Sequence, residues 1–305
     1  MQCERVLLIG GNGFIGRALG RRLVADGLEV HVLARHATPG MHEGMVFHRG
    51  CQSDVAVVTP LFKRCDVVVH LAAATTPGRS ARAPTLDAAE NLVPLAGFLE
   101  ALVAAGSKRI IFLSSGGAIY GNPLGLPVTE DHPAQPLSYH AAGKAAAEAF
   151  LGAFARQVKT SLTILRPSNV YGPGQPMQAD FGIVRTLLEK ARSGESLAIW
   201  GSGQQVRDFL YIDDLVEACA RLIGMPSVSG TFNVGSGVGV SLLELVALAR
   251  KITDRDISIQ LHPERGIDVE GIYLDSRKLQ GVLGWQAATS LEDGMGKTWA
   301  WLTSQ

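Results

Sequence analysis

The chain has 305 residues, of which 47% are hydrophobic and 18% are charged, a composition that allows a large hydrophobic core and two lobes. Its 28 lysine and arginine residues balance its 28 aspartate and glutamate residues, so the formal net charge is zero. This balance argues against nucleic acid and against an anionic membrane surface as partners.

The first predicted elements are a buried strand, a glycine-rich turn and a helix. Residues 6–9 are apolar, Gly10, Gly13 and Gly16 follow at three-residue spacing, and residues 14–26 have a helical pattern. Such a turn lets backbone approach a ligand closely, and the helix N-terminus offers free N–H groups and the positive end of its dipole. The turn also fits G-x-G-x-x-G in the strand–turn–helix context of a dinucleotide site, so we favour that site over a purely structural turn. Its predicted cofactor-binding residues are Gly10, Gly13, Phe14, Ile15 and Gly16.

Strands and helices alternate through the first half of the chain. Strands are predicted at residues 5–9, 29–34, 66–71, 109–114 and 161–166, and helices at 14–26, 54–63, 84–105 and 138–158. Because apolar residues run continuously through these strands, the sheet must be covered on both faces. The predicted fold class is α/β, a doubly wound parallel sheet (Rossmann) whose ligands lie at the carboxyl ends of the strands.

After Arg166 the elements become shorter. A proline- and glycine-rich loop comes first, followed by predicted helices at 180–193, 213–224 and 241–253 and predicted strands at 197–200 and 231–234. We interpret this part as a smaller C-terminal substrate lobe. The predicted division is a dinucleotide-binding domain over 1–168, to which 210–236 returns, and a substrate-binding lobe over 169–209 and 237–305.

The cysteines and the apolar runs bear on the compartment. The four cysteines form no C-x-x-C pair, so neither a zinc site nor a disulfide framework is predicted, and no metal is expected. The longest apolar run, residues 67–74, is too short to cross a bilayer, and the predicted first strand leaves no room for a signal peptide. We therefore expect reduced thiols in a cytoplasmic protein that has no membrane partner.

Several short motifs follow one another along the chain in a specific order. They are Gly10–Gly16, His70-Leu71-Ala72-Ala73, Asn91, Ser114-Ser115 with Tyr120-Gly121, Lys144, Leu165–Pro173, Gly201–Gly203 with Arg207–Phe209, Asn233–Gly235, Arg265 with Asp268, and Leu283–Trp285. Through these motifs the chain resembles, over essentially its whole length, the extended short-chain dehydrogenases/reductases of the nucleotide-sugar epimerase and dehydratase type. The resemblance implies a bound NAD or NADP, a nucleotide-sugar substrate, and a homodimer formed through two helices per subunit, for which 84–105 and 138–158 are the candidates.

The resemblance also implies a reaction, the transient oxidation of a sugar carbon. A nicotinamide takes a hydride while a base takes the hydroxyl proton; the usual base is a tyrosine four residues before a lysine, whose cation lowers the phenol pKa. Further cofactor contacts are implied at Leu71, Ala72, Ala73, Ser114, Lys144 and Pro167.

The catalytic helix departs from the family pattern. His140, not a tyrosine, stands four residues before Lys144, and Tyr139 stands five before it. At about 100° per residue, a four-residue step leaves side chains about 40° apart and a five-residue step about 140° apart. Three interpretations stay open: His140 is the base, Tyr139 reaches the site through a local distortion such as a π-bulge, or the site is impaired.

A second departure concerns the hydroxyl that touches the reacting oxygen. In the family this hydroxyl lies four residues before the tyrosine that corresponds to Tyr120. This chain has Gly116 at that position, and Ser115 is the nearest substitute. Dehydratases of the family carry an Asp-Glu pair just after that hydroxyl, whereas this chain has Gly117 and Ala118. The residues therefore predict against sugar 4,6-dehydration.

The remaining binding residues lie at the two ends of the ligands. Where NAD-specific sites place an acidic residue after the second strand, this chain has Arg35, which either pairs with the 2′-phosphate of NADP or is a solvated surface residue. On the substrate side, Asn169, Arg207 and Arg265 match the family positions that grip the nucleotide diphosphate. The alternative for both arginines is a surface salt bridge with a nearby aspartate.

Three functions follow in order of preference. The leading one is an NAD(P)-dependent nucleotide-sugar epimerase, with catalytic residues Lys144, His140, Tyr139 and Ser115 as candidates. The second is an NADP-dependent reductase of a keto-sugar nucleotide, which Arg35 suits. The third, from another class, is a cofactor-binding protein with little or no catalysis.

Overall fold

The computed structural model of the chain describes residues 5–37, 43–81, 83–106, 108–178 and 181–305. The strands of this part are β1 (Arg5–Ile9), β2 (Glu29–Ala34), β3 (Met45–Arg49), β4 (Val67–His70), β5 (Arg109–Leu113), β6 (Leu162–Pro167), β7 (Asn169–Tyr171), β8 (Leu197–Trp200), β9 (Val206–Tyr211), β10 (Gly230–Val234), β11 (Gly239–Ser241) and β12 (Ile259–His262). The α-helices are α1 (Phe14–Ala25), α2 (Val55–Arg64), α3 (Pro77–Ser80), α4 (Pro84–Asp87), α5 (Val93–Ala105), α6 (Gly116–Ile119), α7 (Tyr139–Val158), α8 (Ile183–Ser193), α9 (Ile212–Ile223), α10 (Leu242–Thr253), α11 (Arg277–Leu283) and α12 (Leu291–Thr303).

Seven parallel strands form the main sheet, in the order β10-β6-β5-β4-β1-β2-β3. Successive side chains of a strand point to opposite faces, and in β1 Val6 and Leu8 enter one hydrophobic core while Leu7 and Ile9 enter the other. All four side chains are almost completely buried. The predicted doubly wound parallel sheet, covered on both faces, is therefore confirmed.

Two smaller sheets lie outside the main one. β9 pairs with β7 and β11 in a three-stranded sheet, and β8 pairs with β12. Neither β3 nor β9 is predicted from the sequence. In β9 the charged pair Arg207-Asp208 interrupts the apolar pattern, and in β3 the edge position leaves Val46 43% exposed, which hides the usual strand signal.

The predicted helix over 84–105 is not one regular helix. α4 ends at Asp87, a π-helical turn follows at Ala88–Leu92, and α5 begins at Val93. Pro94 lacks the N–H group that would continue the α-helical ladder, which gives a physical reason for the widened turn just before it.

By length and composition alone, the stretch Pro84–Ala105 could cross a membrane. In the fold, however, α5 packs against α2 and α7 in the helical layer over the sheet, and buries Leu95, Phe98 and Leu102. We therefore interpret this stretch as a covering helix of the sheet. Its outer face stays apolar, as described below.

Candidate functional site

The glycine turn after β1 is shaped by close backbone contacts. Gly10 has φ +78°, and a Cβ atom there would lie 2.8 Å from the Cα atom of Ala72. A Cβ atom on Gly16 would lie 2.5 Å from the Cα atom of Gly11, so α1 can begin this close to the turn only with glycine at that position. Gly13 is exposed, and it caps α1 without a side-chain hydrogen bond.

The start of α1 is therefore open for an anion. Arg17 makes the first backbone bond of the helix, to the Gly13 carbonyl, at 3.0 Å. The N–H groups of Phe14, Ile15 and Gly16, at the beginning of the helix, have no intrahelical acceptor. Free N–H groups and the positive end of the helix dipole are what a diphosphate needs, so these residues fit the predicted dinucleotide cradle.

The segments after β4, β5 and β6 converge beside this turn. The N–H group of Leu71 donates to the Ile9 carbonyl at 2.9 Å, and that of Ser114 donates to the Leu165 carbonyl at 2.8 Å. Pro167 ends β6 in register with Val234. The neighbouring residues Ala72, which touches Gly10, and Ala73, which is exposed, complete this edge of the sheet.

At the end of β5, one buried hydroxyl lacks a partner. Among the described residues no hydrogen-bond partner lies within reach of Ser114 Oγ, although the atom is buried. A buried hydroxyl without a partner is costly, which makes this atom a natural contact for a ligand. Ser115 is partly exposed, and its side chain does not cap α6.

Gly116 explains why the predicted hydroxyl is displaced by one residue. A Cβ atom at Gly116 would lie 2.5 Å from Leu274 Cδ1 and 2.7 Å from the Arg166 carbonyl oxygen. A serine does not fit this position without a shift of backbone, and Ser115, next to it, is a partly exposed hydroxyl at this edge.

Lys144 lies at the carboxyl end of β5. Its Nζ atom donates to the Leu113 carbonyl at 2.9 Å and lies 4.9 Å from the centroid of the Phe112 ring. Burial lowers the pKa of Lys144 to about 8, against the opposing attraction of Glu148 and Asp87. The side chain is thus a cation at neutral pH that is ready to lose its proton in mild alkali.

The structure brings His140, and not Tyr139, to the face of Lys144. α7 is α-helical from its first residue, with the Ser138 hydroxyl accepting from the Ala141 N–H at 3.2 Å. The distortion that Tyr139 would need is therefore absent from α7; the π-helical turn lies at Ala88–Leu92 instead. Tyr139 is 48% exposed, whereas the His140 side chain is 11% exposed and lines the same small cavity as Lys144.

The surroundings of His140 keep its imidazole neutral. Burial, together with the positive charge of Lys144, lowers the pKa of His140 to about 4, although Asp87 acts in the opposite direction. Its Nδ1 atom lies 3.4 Å from Thr75 Oγ1 and 4.0 Å from Asp87 Oδ1. The neutral imidazole has a lone pair that can accept a proton, and the same lowering of the pKa makes it a weaker acceptor than an exposed histidine.

The two substrate-side arginines differ in their partners. Arg265 makes a bidentate pair with Asp268, at 2.7 and 2.9 Å, and lies 4.4 Å from the centroid of the Trp200 ring. The salt-bridge alternative therefore describes the geometry of Arg265, although a guanidinium so held still has donors for a phosphate.

Arg207 is not paired with Asp208. Within the described ranges no carboxylate lies at salt-bridge distance from Arg207, whose guanidinium donates to the Val206 carbonyl at 2.9 Å. Asp208 is buried and accepts instead from Ser168 at 3.0 Å, among other groups, and the nearby Asn169 amide donates to the Asp208 carbonyl at 3.0 Å. Arg207 thus keeps most of its donors for an anionic ligand.

Sequence reasoning gave no role to a polar cluster that lies against α7. Thr75 and Asp87 are only 4% and 3% exposed, and both lie within reach of His140. His70, nearby, is completely buried; burial lowers its pKa to about 3, and neither ring nitrogen has a hydrogen-bond partner among the described residues. The available signals were His70, which stands in one of the family motifs, and an aspartate inside the apolar stretch Pro84–Ala105, which an amphipathic reading assigns to the solvent face.

Comparison with known proteins agrees with this geometry. Residues 6–235 match the NAD dependent epimerase/dehydratase family. The chain is 34% identical to a UDP-glucose 4-epimerase of Mycolicibacterium smegmatis, over 96% of this chain and 97% of that protein. It superimposes on the crystal structure of a Thermotoga maritima UDP-glucose 4-epimerase with UDP-glucose, at a TM-score of 0.92 and 32% identity over 98% of this chain and 99% of the other. For a Thermus thermophilus UDP-glucose 4-epimerase in complex with NAD, the TM-score is 0.91 and the identity 32%, over the same shares.

Proposed function

This chain belongs to the NAD-dependent epimerase/dehydratase family, and we propose that within it the protein is an NAD(P)-dependent nucleotide-sugar epimerase whose base is His140. The observation that carries the proposal is the shared face of α7, where His140 and Lys144 both line one cavity at the carboxyl end of β5. Because two relatives of known structure are UDP-glucose 4-epimerases, UDP-glucose is the first substrate to test.

The residues of the cradle fit a dinucleotide. The N–H groups at the start of α1, with Gly10 and Gly13 below them, would hold the diphosphate, and Ser114, Lys144 and Pro167 lie toward the nicotinamide end. When bound, the nicotinamide supplies a reversible acceptor for the hydride of the sugar carbon. The protein supplies the rest, namely orientation, a proton acceptor and a dry, charged surrounding.

The chain's own residues handle the proton. His140, neutral at pH 7, would take the hydroxyl proton of the sugar and return it after the keto intermediate has presented its other face. The Lys144 cation, close to this histidine, favours negative charge on the reacting oxygen, and the Ser115 hydroxyl would donate to that oxygen. Asn169, Arg207 and Arg265 would grip the diphosphate of the nucleotide.

Turnover tests this function directly. The purified protein incubated with UDP-glucose should produce the 4-epimer, detected by NMR of the sugar protons, without net consumption of NAD(P). Net consumption of NADPH with a keto-sugar nucleotide, and no epimer, would instead establish the reductase that Arg35 favours. Cofactor binding without turnover on a panel of nucleotide sugars would establish the non-catalytic alternative.

We propose that the positive charge of Arg35, just after β2, determines whether the protein prefers NAD or NADP. Arg35 is exposed just after β2, and the Asn12 amide donates to the neighbouring His36 carbonyl at 2.7 Å, which ties this segment to the glycine turn. We expect Arg35→Ala to weaken NADP binding by about 10-fold, the loss of one exposed charge-assisted contact, and to leave NAD binding unchanged. Titration calorimetry with both cofactors measures this; equal effects on the two cofactors, or none, would contradict a role of Arg35 at the 2′-phosphate.

The lowered pKa of Lys144 predicts that activity falls at alkaline pH. Its pKa of about 8 means that the cation is present below pH 8 and lost above it, while His140 stays neutral down to about pH 4. We therefore expect kcat/KM to be level between these values and to fall above about pH 8. Lys144→Arg should remove the alkaline fall, because a guanidinium keeps its proton there. An unchanged alkaline limb in an active Lys144→Arg variant would show that another group titrates.

We propose a homodimer formed through α5 and α7. Val93 and Val103 on α5 are 67% and 59% exposed, and Phe150 on α7 is 45% exposed, so adjacent helices present apolar side chains to solvent. The double variant Val93→Glu, Phe150→Glu should be a monomer by light scattering, where the wild type has twice that mass. Leu124→Glu is the matched control, since Leu124 is fully exposed in a loop and its change should leave the mass unaltered.

We also propose that the protein works in the cytoplasm. The described cysteines, Cys51, Cys65 and Cys219, are free thiols, which suits a reducing compartment. Fractionation of cells that express the full chain would test the proposal, and recovery outside the cytoplasmic fraction would contradict it.

A further inference from the structure

A buried hydrogen-bonded cluster lies against the first turn of α7, and the reaction proposed above gives it no role. Its members are Thr75, Asp87 and Asn91, which follow β4 and span α4 and the π-helical turn. The Thr75 hydroxyl donates to Asp87 Oδ1, and Asn91 Nδ2 donates to Thr75 Oγ1 at 2.8 Å and to Asp87 Oδ1 at 3.2 Å. The cluster therefore has a definite direction of donors and acceptors.

A backbone group sets that direction. The N–H group of Ala74 donates to Asn91 Oδ1 at 2.8 Å, and a backbone N–H cannot act as an acceptor. The Asn91 side chain must therefore turn its oxygen to Ala74 and its NH₂ group to Thr75 and Asp87. The orientation of this amide is thus fixed by the hydrogen-bond network, as such assignments require.

The same count of donors and acceptors applies to the contact between Thr75 and His140. A hydroxyl has a single proton, and the proton of Thr75 is engaged with Asp87. The remaining neighbour of Thr75 Oγ1 is His140 Nδ1, at 3.4 Å, toward which Thr75 can only be an acceptor. A hydrogen bond between the two groups therefore requires the proton of the neutral imidazole on Nδ1, an arrangement that leaves the lone pair on Nε2.

The backbone of α7 makes room for this arrangement. A Cβ atom on Gly143 would lie 2.0 Å from Asp87 Oδ2, so the carboxylate lies flush against the helix backbone one residue before Lys144. Any side chain at this position would displace Asp87. Among the described residues, the charges that act on the pKa of His140 are those of Lys144 on its own helix and Asp87 on α4; the carboxylate partner of Arg79, on α3, is Glu90 at 3.8 Å.

We propose that Thr75, with its proton held by Asp87, is a positioning residue that keeps His140 in the Nδ1–H tautomer, so that Nε2 is the nitrogen that takes the substrate's hydroxyl proton. The proposal rests on His140 being the base of the proposed function. In the step itself the O–H and C–H bonds at the reacting sugar carbon break and its C=O bond forms; the proton forms the Nε2–H bond, and the hydride would go to the nicotinamide cofactor. The resulting imidazolium has its Nδ1 atom 4.0 Å from Asp87 Oδ1, a carboxylate that favours the charged ring.

The tautomer can be observed without any activity measurement. In protein labelled with ¹⁵N at histidine, long-range ¹H–¹⁵N correlation at pH 7 distinguishes the two tautomers, and the signals missing from His140→Phe assign residue 140. We expect the Nδ1–H form in the wild type. An Nε2–H form, or an equal mixture, would overturn the proposal.

Variants at Thr75 test the cause. Thr75→Val keeps the shape but removes the acceptor, so we expect a mixture of tautomers and a kcat lower by about 10- to 100-fold with KM little changed, less than the loss of the base because the imidazole is still present. Thr75→Ser restores the hydroxyl and should restore both readouts. Thr298→Val is the matched control, because Thr298 is equally buried and hydrogen-bonded, in α12, and its change should alter neither.

The outcomes separate this proposal from the function on which it rests. If His140→Phe abolishes turnover while Thr75→Val retains the Nδ1–H form and full kcat, Thr75 is not the positioning residue but His140 is still the base. If His140→Phe turns over normally, the base assignment itself is wrong. If Thr75→Val does not fold, Asp87→Ala replaces it: with the carboxylate gone, the Thr75 proton can turn to Nδ1, and we expect the tautomer to change to Nε2–H.

Discussion

Replacing His140 by phenylalanine is expected to lower kcat for epimerisation by about 10²- to 10⁴-fold, the usual contribution of a general base. Phenylalanine keeps a planar ring in a site where the His140 side chain is 11% exposed, but it cannot accept a proton. The residues proposed to grip the nucleotide diphosphate and the cofactor are others, so we expect KM to change little. The measurement is initial rates at pH 7 with saturating nucleotide sugar.

Tyr139→Phe is the matched control for this variant. It removes one hydroxyl at the adjacent position, from a side chain that is 48% exposed at the start of α7, so we expect full kcat. The reverse result, in which Tyr139→Phe is inactive and His140→Phe is active, would show that α7 rearranges when ligands bind. Full activity of both variants would sink both base assignments.

The second large effect is expected at the glycine turn. Gly13 has φ −75°, which any residue adopts, and the nearest atom to an added Cβ is the Gly10 carbonyl oxygen at 3.3 Å. Gly13→Ala should therefore fold with a Tm close to that of the wild type. Its methyl group would project from the exposed start of α1, where the diphosphate must approach the N–H groups, and we expect the Kd for NAD(P) to rise at least about 10-fold, or roughly 1.4 kcal/mol.

Two further glycines make this prediction specific. Gly16→Ala would bring its Cβ 2.5 Å from the Cα atom of Gly11, so we expect it to lower Tm as well as binding. Gly281→Ala, in α11 with no atom within 4 Å of the added Cβ, should keep both the fold and the affinity. Cofactor titration together with thermal unfolding distinguishes the three variants. An unaltered Kd in Gly13→Ala would contradict the placement of the diphosphate.

Features that depend on neighbouring residues could be predicted from the sequence. The strand, the glycine turn and the start of α1 are decided by local backbone conformation, and the structure has them where the sequence predicts them. The angle between His140 and Lys144 follows from the pitch of one helix, so a count of residues places Tyr139 on another face unless the helix is distorted, and α7 is regular from its first residue. The order of the motifs indicated the family for the same reason: each motif is a short segment.

Features that depend on distant contacts could not be predicted. β9, which contains Arg207 and Asp208, pairs with strands that lie far away in the chain. The burial of Asp208 and its hydrogen bond from Ser168 therefore have no local sequence pattern. For Arg265 and Arg207 the sequence allows both a diphosphate contact and a surface salt bridge, because it shows charges but not distances. The structure pairs Arg265 with Asp268 and leaves Arg207 without a carboxylate among the described residues.

His140 shows which properties the sequence determines and which need the tertiary structure. By itself the sequence determined that an imidazole replaces the expected phenol on the face of Lys144, since residue identity and helical pitch are local properties. The tertiary structure alone brings His140 to the groups on which the proposed tautomer depends, namely Thr75, 65 residues away and 3.4 Å from Nδ1, and Asp87, which accepts the Thr75 proton. Protonation follows from contacts through space, and folding alone brings those groups together.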